Sequence, residues 1–280
     1  MLDDLLLHPT CKRHLRAYIS DPPHAILLHS VANSGKVAIA DAMAHEIKAS
    51  RPNSTIIYIK PLPDKKTVSI DQIKQLKTIL RTKNSAYRVI VIPDADMLTI
   101  EAQNSFLKLL EEPSLGVIFI LTSSLPNALL STIRSRLLKI RIFAPTKKQL
   151  REYARQFVDD EVVESRLLIA NGRVPVLRAL VEPDVASNIL QYIDQAKDIL
   201  SESVESRLLR VDTLCKDVPQ LYATIDALLS TCTAAMRHAI TNAKPHDSWY
   251  KRVTAIETAY NQLAKNVLPK LVLTRLFLVL

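Results

Sequence analysis

Apolar and polar positions follow two regimes along the chain. From residue 25 to about 142, short unbroken apolar runs take turns with stretches in which apolar residues recur every three or four positions. The runs Ala25–Leu28, Ser54–Pro61 and Val89–Ile92, and "GVIFILTSS" after them, predict strands. The third and fourth are continuous enough to be covered on both faces of a parallel sheet. Helical spacing predicts helices over Val37–Ile47, over Ser69–Leu80 through Ile70, Ile73, Leu76, Ile79 and Leu80, and over "TIEAQNSFLKLLEEP", which Pro113 stops. This alternation predicts an α/β protein with a parallel sheet and short right-handed crossovers. Beyond "APTKKQL" at 144–150 no long β-branched run recurs, and helical spacing continues to the end. Pro145 and Pro183 mark the candidate breaks. The parts expected are a sheet domain over 1–142, a small helical domain over 143–185 and a larger helical bundle over 186–280.

Composition narrows the class. Across 280 residues, 48% hydrophobic content can bury a sizeable core, and 3 glycines against 15 prolines argue for a helix-rich chain rather than a turn-rich sandwich. Cys11, Cys215 and Cys232 are too few and too far apart for a disulfide framework or a zinc ribbon, so no metal is expected and a reducing cytoplasm fits. The acidic start and the short apolar stretch Leu5–Leu7 argue against a secretory signal. The apolar stretch 267–280 is too short to span a bilayer and contains Lys270 and Arg275, which favours a packed helix over a membrane anchor. A net charge of +9 permits a phosphate backbone as partner without requiring one.

"LLHSVANSGKVAIADAM", residues 27–43, resembles a phosphate-binding loop with parts missing. The full pattern sets a glycine, four residues and Gly-Lys-Ser/Thr between a buried strand and a helix, so that backbone N–H groups cradle phosphates and the hydroxyl holds magnesium. In this chain Ser30 takes the place of the first glycine, Gly35 and Lys36 are present, and Val37 replaces the hydroxyl. Gly35-Lys36 can also be read as an ordinary helix entry. Nucleotide hydrolases of this type carry a metal-orienting acid at the end of a second strand. That strand, Val89–Ile92, runs into Pro93-Asp94-Ala95-Asp96, so the metal position is a proline and the next an aspartate. Asp94 and Asp96 can alternatively be helix caps.

"DADMLTIEAQNSFLKLLEEP" at 94–113 and "STIRSRLLKI" at 131–140 resemble the bacterial AAA+ clamp-loader subunits of DNA polymerase III, with Leu137 where their Ser-Arg-Cys motif has cysteine. "SIDQIKQL", "HAILLHS" and "NVLPKLVLTRLFLVL" extend the resemblance over most of the chain. The broken nucleotide motifs bring it nearest to the delta-prime branch of that family. The resemblance implies an AAA+ sheet domain, a helical lid and a C-terminal collar that oligomerises. It implies a subunit that hydrolyses no ATP and at most binds ATP or ADP weakly through Ser30, Gly35, Lys36, Val37 and Asp94. It also implies that Ser135-Arg136 serves as an arginine finger for the ATP of a neighbouring subunit, a role for which a planar, permanently charged fork is suited. A salt-bridged surface arginine is the alternative for Arg136, and Arg134, two residues away, is a weaker candidate for the finger. The implied partners are gamma/tau and delta subunits in a hetero-pentamer, the sliding clamp, and primer-template DNA through the complex, with no membrane. "EIKASRPNSTIIYI" lacks the four zinc cysteines of many members, and "NGRVPVLRAL" has Pro175 and Val176 where a nucleotide-sensing arginine often stands, with Arg178 as a shifted equivalent. Two other functions stay open: an active gamma/tau-like ATPase, and a free-standing nucleic-acid-binding AAA+ relative.

Overall fold

The computed structural model describes the chain except residues 32–33, 52, 64, 82–86, 183–188 and 265–266, and the side chains of 218–219 and 264. Pro183 and the expected boundary at 185–186 lie outside the described residues. Two compact units are present, Met1–Thr146 and Lys147–Leu280.

In chain order the first unit contains α1 (Pro9–Ser20), β1 (Ala25–His29), α2 (Lys36–Ala49), β2 (Thr55–Tyr58), α3 (Ile70–Arg81), β3 (Arg88–Ile92), α4 (Ile100–Glu111), β4 (Val117–Ser123), α5 (Ser131–Arg134) and β5 (Leu138–Arg141). The strands form one sheet in the order β2-β3-β4-β1-β5, every pairing parallel. Strands β3 and β4 are buried at every position, as their unbroken apolar runs require. Alternation divides their side chains between two cores. Leu27, Ile90, Ile92, Phe119 and Leu121 pack with Ile73, Leu76, Phe106 and Ile133 of α3, α4 and α5. Ile26, Leu28, Val89, Val91, Ile118 and Ile120 pack with Leu15, Ile39, Met43 and Ile47 of α1 and α2. Phe106 meets Phe119 edge to face, ring centroids 5.1 Å apart, an arrangement favoured by the ring quadrupoles.

Among the described residues, three elements of this unit go beyond the expected set: the four-residue helix α5, which buries Ile133, strand β5 and helix α1. Strand β5 carries the polar sequence Leu-Lys-Ile-Arg, of which Ile140 alone is buried, because an edge strand needs little apolar surface. Helix α1 is mostly polar and buries Cys11 and Leu15.

The second unit is helical: α6 (Lys147–Ala154), α7 (Asp160–Ala170), α8 (Val174–Val181), α9 (Ile189–Ser201), α10 (Val204–Leu214), α11 (Val218–Thr241), α12 (Asp247–Ala264) and α13 (Pro269–Val279). The long α11 packs against α7, α9 and α12, and α13 packs against α10 and α12. Arg207, buried on α10, donates to the carbonyls of Ile199 at 2.7 Å and Leu200 at 3.2 Å, closing the C-terminal end of α9. Among the described residues no helix is long and apolar enough to cross a membrane.

Helix α11 ends in a Schellman motif. Lys244 N–H donates to Ala239 O at 2.8 Å and Ala243 N–H to Ile240 O at 3.1 Å, with Ala243 left-handed at φ 51°. A Cβ in that conformation costs roughly 1–2 kcal/mol. Ala243→Gly is therefore expected to stabilise the chain by about 0.5–1 kcal/mol, read as a higher urea midpoint at unchanged m-value.

Candidate functional site

The carboxyl ends of β1, β3 and β4 lie side by side in the sheet, and the segments that leave them meet there. After β1 the chain passes through Ser30 to Gly35, whose left-handed φ of 84° is a turn that glycine makes without steric cost, and enters α2 at Lys36. Ser30 and Ser34 hydroxyls bond to one another. Lys36 is 4% exposed. Its ammonium donates to Ser124 Oγ at 2.5 Å, just beyond β4, and lies 3.7 Å from Asp94 Oδ1, just beyond β3. A buried ammonium needs such acceptors, since desolvation without them is costly.

Asp94 is itself left-handed, φ 45°, and its N–H donates to the buried Thr122 Oγ1 at 2.9 Å. Asp96 accepts from Ser124 N–H at 3.2 Å. Asp94 holds the N-cap position of the short 3-10 helix Ala95–Met97 without a side-chain cap hydrogen bond, and neither aspartate caps α4. Thr99 does that for α4, accepting from Ala102 N–H at 3.2 Å. The residues at the expected magnesium position do not fit that ion: Val37 offers only an alkyl group, half out in solvent, and Pro93 has no side-chain oxygen. At the end of β1, burial first and then the neighbouring Arg141 and Lys139 push the His29 imidazole below its ordinary pKa.

Arg136 belongs to a separate place on the first unit. Gln103, buried on α4, donates to Leu98 O at 3.2 Å and Ala128 O at 3.3 Å and accepts from Leu130 N–H at 2.8 Å, which anchors the start of α5. The turn after α5 carries Ser135, exposed, and Arg136, partly exposed. Arg136 Nη2 lies 2.9 Å from Glu111 Oε1, and Nη1 donates to Thr132 O at 2.9 Å and Ser135 Oγ at 3.3 Å. Arg134 donates from Nη1 to Asn127 Oδ1 at 2.8 Å, while its Nε is buried without a hydrogen-bond partner. Lys36 and Arg136, both cationic candidates, thus differ in setting: the first is buried among its acceptors, the second is paired at the surface and partly exposed.

Ser124, Gln103, Glu111 and His29 escape a reading by motif. Of these, Gln103 alone leaves a trace in sequence, as a single amide on the apolar face of α4. In the helical unit, Val176 is buried, and Arg178 is paired at 2.6 and 3.0 Å with Glu182, the C-cap residue of α8. That hydrogen-bonded pair raises the arginine's pKa and lowers the carboxyl's, and Tyr153 also donates to Glu182.

Residues 48–146 match the family described as DNA polymerase III, delta subunit. Over 205 residues the chain is 25% identical to DNA polymerase III subunit delta-prime of Pseudomonas aeruginosa. By sequence, the chain resembles clamp-loader subunits. The Pseudomonas match takes in 65% of this chain and spans 62% of that relative's length, less than two thirds of it. The replication factor C small subunit of Haloarcula marismortui is 26% identical over 247 residues, 82% of this chain and 74% of that one. A DNA polymerase III gamma subunit-related protein of Thermotoga maritima, known from its crystal structure, aligns with a TM-score of 0.55 at 18% identity over 96% of this chain and 97% of that one. The fold is therefore the AAA+ α/β fold with a helical C-terminal part, as the clamp-loader resemblance implied.

The enclosure of Lys36 has a measurable consequence. Ser124→Ala should cost about 1–3 kcal/mol in urea unfolding, because it strips an acceptor from a buried charge. Lys36→Met, which keeps the apolar stem and removes the charge, should cost less than Ser124→Ala.

Proposed function

We propose that this chain is a non-hydrolysing, delta-prime-like subunit of a clamp loader, acting in the cytoplasm within a hetero-pentamer of gamma/tau-like and delta-like subunits. In this reading the assembly opens a sliding clamp and places it on primed DNA, and this chain supplies Arg136 to the ATP of a neighbour. The contrast between the two cations carries the reading. Lys36 is turned inward onto Ser124 and Asp94, beside Val37 and Pro93 that offer magnesium no oxygen, whereas Arg136 stands 37% exposed at the end of α5. A guanidinium at a subunit surface can meet a neighbour's γ-phosphate with two parallel hydrogen bonds. Fingers supplied in trans are worth roughly 10³–10⁵ in rate in nucleotide hydrolases. Excess positive charge across the chain, +9, would favour the phosphate backbone of enclosed duplex without reading bases.

A gamma/tau-like motor is the second reading, favoured by the likeness to replication factor C and gamma-related proteins and by Gly35-Lys36 at the start of α2. Turnover separates the two. The purified chain is expected to show no magnesium-dependent ATP hydrolysis above background; hydrolysis abolished by Lys36→Ala would establish the motor. In the assembled loader, Arg136→Ala should leave assembly intact and lower clamp-stimulated hydrolysis in part and loading more, with Arg136→Lys rescuing poorly. Unchanged rates in both assays would remove the finger.

The collar is proposed to lie within 186–280. Helix α10 presents Leu209 to solvent, and α13 with its N-cap residue presents Leu268, Leu271 and Leu278, more apolar surface than an isolated helical bundle needs. Leu271→Glu with Leu278→Glu should leave the circular dichroism spectrum unchanged and reduce incorporation into the loader at least tenfold on size exclusion. Normal incorporation would place the oligomerising surface elsewhere.

A further inference from the structure

The contacts of Arg136 carry one inference beyond its proposed role, and it rests on that role. Helix α4 ends at Glu111, whose carboxylate Oε1 lies 2.9 Å from Arg136 Nη2. The carbonyl of Thr132, on α5, accepts Arg136 Nη1 at 2.9 Å and Ser135 Oγ at 2.9 Å. Ser135 Oγ in turn accepts Nη1 at 3.3 Å. One guanidinium is thus held from two elements by a carboxylate, a carbonyl and a hydroxyl, while 37% of its side-chain surface stays open.

Such an arrangement contributes little to folding, because an exposed ion pair is screened and loses side-chain entropy. Its physical effect is on direction. An unrestrained arginine spreads over many rotamers, and a group that must meet a developing charge loses rate when it is displaced by as little as about 1 Å. Glu111 fixes one nitrogen of the fork and the turn after α5 fixes the other.

We propose that Glu111 is the positioning residue for Arg136: it holds the guanidinium aimed outward before the neighbouring subunit arrives, with Ser135 and Thr132 as the second point of attachment. Glu112, the next residue and the C-cap of α4, has the same charge and supplies the control for a general electrostatic effect.

The test uses the full-length chain reconstituted into the loader, with ATP hydrolysis and clamp loading measured on primed DNA. Glu111→Ala is expected to lower kcat for loading about tenfold at unchanged KM for ATP, as loss of preorganisation does. Glu111→Gln, whose amide oxygen still accepts from Nη2, should recover most of that rate, and Glu112→Ala should match wild type. The double variant Glu111→Ala/Arg136→Ala should be no slower than Arg136→Ala alone, because the two residues act as one unit. If Arg136→Ala lowers loading but Glu111→Ala runs at the wild-type rate, or if the two losses multiply, the positioning role is overturned while the finger stands. If Arg136→Ala has no effect, the finger falls and the positioning role with it.

Discussion

A parallel strand with apolar side chains on both faces has to be covered twice, and that requirement organises the first unit. Strands β3 and β4 are buried along their whole length, so helices pack on either side, α1 and α2 on one face and α3, α4 and α5 on the other. Polar groups are then excluded from the middle of the sheet and collect at strand ends. Because all strands run the same way, the carboxyl ends of β1, β3 and β4 deliver Ser30, Asp94 and Ser124 to one side. The convergence of Lys36, Asp94 and Ser124 follows from the topology, without any of the three being near another in sequence.

What each cation does is decided by how it is solvated. Lys36 sits where water is excluded, and its charge is kept by Ser124 and Asp94. A ligand would have to compete with both acceptors and supply its own metal coordination. Arg136 keeps part of its hydration and has partners at the surface, Glu111 among them. Charge alone, therefore, does not rank these residues as candidates; burial and the identity of the acceptors do.

The helical unit handles the same constraint by other means. Its helix ends are closed by groups brought from nearby turns: Arg207 on the carbonyls of α9, and the Schellman bonds of Ala243 and Lys244 at the end of α11. Arg173, preceding α8, reaches both carboxylate oxygens of Asp226 on α11 at 2.9 Å and ties two helices through a charged hydrogen-bonded pair. Each device satisfies backbone or charge that burial would otherwise leave costly.

The chain by itself determined what depends on neighbours a few residues apart. Strands β1, β3 and β4 are legible because fully buried strands are unbroken apolar runs, and α4 because Thr99 starts it, Phe106 and Leu110 keep its spacing and Pro113 ends it. Strand β5 and α1 were not legible, since an edge strand with one buried residue and a polar helix with two leave almost no hydrophobic signal. At the site, the Gly35-Lys36 step and the Ser135-Arg136 pair stand out as local patterns. Only the tertiary structure decided their surroundings. It brought Ser124, 88 positions from Lys36, within hydrogen-bonding distance, and set Glu111 against Arg136. The physical reason is range: side-chain spacing and caps act within a turn or two of helix, whereas the solvation of a charge is fixed by whatever the packed sheet and helices place within a few ångströms of it.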